Sequence, residues 1–213
     1  MTRVALALLA VLLVACSGTE TGNPPDAKLR VGLHSSSADE VGLRTNAPLD
    51  VTQANLGFHV LELVSCEQEG VPVVSEPRLL DLFESDSWSL PPGRYCSLHL
   101  DLSPVGPEQG AARVEFVDQA GQRFLYLRDM PLDLTLDFVQ AHPVAAGDVL
   151  TLSLDVGLLL AGKDLPPGPP SSDTTVLSSV SNPNQFGPID VALPSSLNVY
   201  SGANGEGQLT APP

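Results

Sequence analysis

Three stretches of this chain alternate strictly between apolar and polar side chains. In residues 130–138, Leu132, Leu134, Leu136 and Phe138 oppose Asp133, Thr135 and Asp137. In residues 148–156, Leu150, Leu152, Leu154 and Val156 oppose Thr151, Ser153 and Asp155. In residues 94–102, Cys96, Leu98, Leu100 and Leu102 oppose Tyr95, Ser97, His99 and Asp101. Successive side chains of a strand point to opposite faces, so each stretch reads as a strand with one buried and one solvated side. Further strands are predicted at 27–33, 56–66, 78–83, 111–117 and 122–127, separated by turn signals such as Pro91-Pro92-Gly93 and Ala146-Gly147-Asp148. No 12-residue window carries a helical stripe, and 20 prolines with 18 glycines exclude a helix bundle. The expectation is an all-β, antiparallel sandwich of about 8 strands over residues 27–162.

A proline-rich linker at 163–170 (Lys163-Asp-Leu-Pro-Pro-Gly-Pro-Pro170) ends that domain. Residues 171–213 differ in kind: they hold no Lys or Arg, and 21 of the 43 are Ser, Asn, Pro or Gly. Two apolar runs, 176–180 and 189–193, are candidates for edge strands, while 201–213 reads as mobile. The whole extension is expected to be low-complexity tail, partly docked and partly disordered.

The N-terminus carries an address. Arg3 precedes an unbroken apolar run from Val4 to Ala15, too short at 1.5 Å per residue for the ~30 Å hydrocarbon core. Residues 1–15 therefore read as a secretory signal. The run ends in Leu13-Val14-Ala15-Cys16, which resembles the lipobox of bacterial lipoproteins. That resemblance implies cleavage before Cys16 and acylation of its thiol, a firm anchor at ~0.8 kcal/mol per buried CH₂. Ser17 stands where aspartate would resemble an inner-membrane retention signal, which directs the expectation to the outer membrane. Residues 16–26 form a short polar tether.

With Cys16 assigned to lipid, Cys66 and Cys96 remain. In an oxidising compartment such a pair is expected to form a disulfide, with a two-cysteine metal site or a reactive thiol as the alternatives. No CxxC spacing supports a metal. The alternation places Cys96 with the inward leucines, so the bridge is expected to be buried.

Residues 55–102 contain Arg78-Leu79-Leu80-Asp81-Leu82 followed by Leu90-Pro-Pro-Gly93-Arg-Tyr95-Cys-Ser-Leu-His-Leu100. This arrangement resembles a family of uncharacterised bacterial lipoproteins with an immunoglobulin- or transthyretin-like sandwich. The resemblance covers about a quarter of the chain and implies a hairpin in which Gly93 takes an unusual backbone angle and Tyr95 caps a sheet end. It brings no catalytic residues, and Cys66 and Cys96 are not part of the family pattern.

The chemistry legible elsewhere is sparse. HExxH, GxSxG, P-loop, GxGxxG and EF-hand patterns are absent. A formal charge of -15 excludes the basic face that nucleic-acid binding needs. Of His34, His59, His99 and His142, the metal candidates are His59 and His99, yet the strand register separates them by roughly 13 Å. Asp133/Asp137 and Asp101/Asp155 offer calcium-type oxygens, but each aspartate also fills the solvent face of an alternating strand. Trp88, the one tryptophan, reads as a partly buried plug, with an exposed contact residue as the alternative. The expected function is that of a lipid-anchored envelope protein acting as a non-catalytic binding or structural module without cofactor. Its partners would be the membrane, through the anchor, and another envelope protein or a glycan. The alternative is a periplasmic metal-handling protein for copper or calcium.

Overall fold

The computed structural model describes residues 26–34, 49–84, 86–106, 109–118, 120–166, 173–202 and 207–211. The signal segment, Cys16 and the tether up to residue 25 lie outside the described residues. In chain order the elements are β1 (Ala27–His34), β2 (Asp50–Ser65), β3 (Gly70–Val74), β4 (Arg78–Asp81) and β5 (Ser87–Leu90). There follow β6 (Gly93–Leu102), β7 (Ala112–Val117), β8 (Arg123–Arg128), β9 (Leu132–Val144) and β10 (Val149–Asp155). The chain continues through α1 (Val156–Leu160), β11 (Thr175–Leu177), α2 (Pro183–Ser196), β12 (Leu197–Ser201) and β13 (Gly207–Gln208).

The strands form two sheets. The smaller has the order β13-β12-β10-β1-β5, and the larger the order β11-β8-β7-β2-β6-β9, with β3 and β4 also paired to β2. All-β character is as expected, but the sheets are not purely antiparallel. β1 runs parallel to β10, and β11 parallel to β8, so both sheets are mixed. Leu29, Val31, Leu150, Leu152 and Val199 of the small sheet join Leu56, Phe58, Leu61, Leu98, Leu100 and Phe116 of the large one in a single buried cluster. Leu159 of α1 and Phe186, Ile189 and Leu193 of α2 belong to the same cluster.

Each of the eight expected strands is present, with β2 and β9 longer than their alternation indicated. The chain beyond residue 173 differs most from the expectation. The run 176–180 does begin in an edge strand, β11, but 189–193 lies in α2. The buried residues of that helix, Phe186, Ile189, Leu193 and Ser196, follow helical spacing. Gly187, Pro188 and Pro194 interrupt the stripe and read as turn signals. Pro183 occupies the first turn, where a missing N–H costs nothing. The helix stands because its apolar side meets the core, not through propensity.

Of the residues expected to be mobile, 203–206 and 212–213 lie outside the described residues, while Ser201, Gly207, Gln208 and Thr210 are paired. β12 lies between β10 and β13, and Leu209 links the two sheets: its N–H donates to Val199 O and its carbonyl accepts from Val139 N, both at 2.7 Å. Trp88, in β5, is half-buried against the core, and the Arg78 guanidinium lies 5.9 Å from its ring centroid.

β2 organises the large sheet. β7 and β4 pair along its first half, β6 and β3 along its second. The segment between β6 and β7 passes over β2 at Gly57, where a Cβ would come 2.5 Å from Ser103 O and 3.1 Å from Gly110 O. Backbone on that side cannot yield as a side-chain tip could. Gly57→Ala should therefore destabilise the fold by about 1–3 kcal/mol, the usual scale of overpacking, read in urea unfolding. An unchanged midpoint would contradict this crossing.

Candidate functional site

The Cys66–Cys96 disulfide is formed, with Cα atoms 4.9 Å apart. It clamps the end of β2 to β6, next to the pairing of Ser65 with Tyr95. The expectation that it is buried is corrected: Cys66 is exposed and Cys96 half-buried. The physical reason is a register shift between Tyr95 and Ser97, which leaves Cys96 unpaired in the ladder and breaks the alternation. Tyr95 turns inward instead, and its hydroxyl donates to Pro91 O at 2.9 Å. Gly93 has no positive φ, so the unusual backbone angle expected there is absent. A Cβ at Gly93 would touch the Tyr95 ring at 3.4 Å.

His99 of β6 stands on the outer face of the large sheet between two carboxylates. Its Nε2 lies 3.2 Å from Asp133 Oδ1 and its Nδ1 3.6 Å from Glu62 Oε2. The register explains this: Glu62 is directly opposite His99, and Asp133 is opposite Asp101. His59 is three positions further along β2, roughly 10 Å away, so the two histidines are not brought together. The expected aspartate pairs are also rearranged. Asp133 and Asp137 lie exposed along β9, but Asp155 belongs to the other sheet and is 2% exposed. There it caps α1, Oδ1 accepting from Leu158 N at 3.0 Å. Among the described residues, no three His, Cys, Asp or Glu side chains are placed to hold a metal ion together.

A buried polar cluster joins α2 to the large sheet, and the alternation gave no sign of it. Arg128, 7% exposed, pairs with Asp190 of α2 and also donates to Pro131 O at 3.0 Å. The Tyr126 hydroxyl donates to Asp190 Oδ1 at 2.9 Å, and its ring stacks on Phe186 with centroids 5.7 Å apart. Burial pushes the Tyr126 hydroxyl far above its ordinary pKa of 10.0, and the Asp190 carboxylate adds to this while Arg128 opposes it. Burial also raises Tyr95, and burial together with Asp155 raises Tyr200.

These are all the tyrosines the chain has. Their unfolded counterparts lose protons near pH 10, and the native ones do so at higher pH, Tyr126 far higher. The stabilisation is thus complete below pH 10 and is lost as pH rises through the native values. In an alkaline titration followed by ultraviolet absorbance, the Tyr126 phenolate, identified by its absence from Tyr126→Phe, should appear only as the β-sheet circular dichroism is lost. Its appearance near pH 10 in native protein would contradict the burial.

A polar cleft of about 480 Å³ opens at the start of β2 and β8 and the end of β7. Thr52, Gln53, Asp81, Glu115, Arg123 and Thr174 supply its polar side chains. Glu115 pairs with Arg113, and Asp81 Oδ1 accepts from Phe83 N at 2.9 Å. None of these residues stood out in the sequence, because they come from five separate segments and only the register assembles them. Comparison of the chain with protein-family models, with curated proteins and with solved structures finds no match. Among the described residues no helix is long and apolar enough to cross a membrane.

Proposed function

We propose that this chain is an envelope lipoprotein, held in the outer membrane by a lipid on Cys16, whose β domain acts as a non-catalytic binding or structural module. The observation that carries this reading is the division of the cysteines. Cys66 and Cys96 are bonded to each other. The third cysteine, Cys16, ends an apolar run after Leu13-Val14-Ala15, where a lipobox would have it. A disulfide also suits a protein exported to an oxidising compartment.

The finer fold reading, a domain similar to immunoglobulin- or transthyretin-like lipoprotein sandwiches, is supported by the inward Tyr95 and its bond to Pro91. The acidic charge disfavours lying flat on an anionic membrane, so the partner of the domain is another envelope component. Mass analysis of protein extracted from membranes tests the reading. The expected species begins at Cys16, leaves 198 of the 213 residues, and carries a diacylglyceryl group. Its metal content after purification without chelator should be far below one ion per chain. An unmodified chain retaining residues 1–15, or stoichiometric copper or calcium, would overturn it.

A further inference from the structure

We infer that the cleft formed by Gln53, Asp81, Glu115 and Arg123 binds a neutral, hydroxyl-rich saccharide. The inference deepens the binding-module reading and rests on it.

The tether enters at Ala27, which pairs with Leu90 just before β6, and the backbone carbonyl of Arg94 in β6 accepts from Cys66 N. Ala27 and the disulfide therefore share one end of the fold. The cleft lies toward the other end of β2: from Gln53 to Cys66 the strand spans about 40 Å at ~3.3 Å per residue. A chain anchored through its N-terminus would present this cleft away from its attachment point.

The chain carries -15 overall, yet around the cleft Asp81 and Glu115 are matched by Arg123 and by Arg113, which pairs with Glu115. Two carboxylates disfavour an anion, and the guanidinium groups disfavour a cation. Thr52, Gln53 and Thr174 add both donors and acceptors. A ligand that offers many hydroxyl groups and no net charge satisfies such a set.

The test uses the full chain in a detergent that contains no sugar, with saturation-transfer NMR against maltohexaose, cellohexaose and chitohexaose, and hexalysine as the charged competitor. At least one hexasaccharide should receive saturation. Arg123→Met and Gln53→Ala, with melting temperatures near that of the parent, should each weaken binding about tenfold. His142→Ala, at the far end of the fold, should leave it unchanged. No transfer to any of the three saccharides, equal binding by the cleft variants, or displacement by hexalysine would overturn the assignment. The mass of the same sample reports lipidation independently, so loss of one reading is separable from loss of the other.

Discussion

Replacing Asp190 by alanine should lower the unfolding free energy by about 3–5 kcal/mol, because it leaves the Arg128 guanidinium buried without its counter-charge. Arg128 and Asp190 side chains are 9% and 18% exposed, so solvent does little to screen the loss. The same carboxylate accepts the Tyr126 hydroxyl, whose bond would break with it. The effect should also reach further than the pair. α2 packs on α1 and leads directly into β12, so a helix released from the large sheet loosens the edge of the small one. The double variant Arg128→Met with Asp190→Leu should recover much of the loss, since an apolar pair of similar volume avoids burying charge at all. Urea unfolding of the three proteins checks this. A single-variant loss under about 1 kcal/mol, or a double variant no better than Asp190→Ala, would show that the pair is solvated.

Removing the disulfide comes second in size. Cysteines 30 residues apart close a loop worth about 3–4 kcal/mol of unfolded-state entropy, so Cys66→Ala with Cys96→Ala should cost that much. For a domain whose net stability is about 5–15 kcal/mol, this is a large share. The bond sits where the β2–β6 and β6–β9 ladders both shift register, so it ties the strands together where their pairing is irregular. Because Cys66 is exposed, dithiothreitol should reduce the bond without prior unfolding. The reduced wild type should then unfold at the same urea concentration as the double variant. A reduced protein as stable as the oxidised one would contradict the role given to the bridge.

Much of the sheet architecture was legible because alternation survives burial on one face. β9 and β10 hold their leucines inward as their patterns require, and the hairpin of β7 and β8 turns at Asp118, whose carboxylate accepts from Gln122 N. Where a residue was inserted, the pattern misled. The irregularity at Cys96 reversed Tyr95 and brought the disulfide to the surface, and no periodicity reports a bulge before the partner strand is known. α2 was hidden for a different reason. Its prolines and glycine are poor helix formers, and it is held by Phe186, Ile189 and Leu193 meeting the core and by Asp190 meeting Arg128 and Tyr126. The parallel pairing of β1 with β10 joins segments more than a hundred residues apart, which no local signal encodes. The cleft was illegible on the same grounds: Gln53, Asp81, Glu115 and Arg123 are ordinary polar residues of separate strands until the register gathers them.

A lipid on Cys16 should decide where the protein sits in the cell, and fractionation tests this directly. Membrane and soluble fractions of cells expressing the wild type and Cys16→Ser would be compared by quantitative immunoblot, with the Cys66–Cys96 bond checked in each. Wild-type protein should sediment with membranes and resist extraction by high salt, because its attachment is apolar and not ionic. Cys16→Ser should lose the acylation while keeping the disulfide, and should either appear in the periplasm or remain as uncleaved precursor of the full 213-residue length. Wild-type protein recovered chiefly as a soluble chain with a free Cys16 thiol would contradict the account.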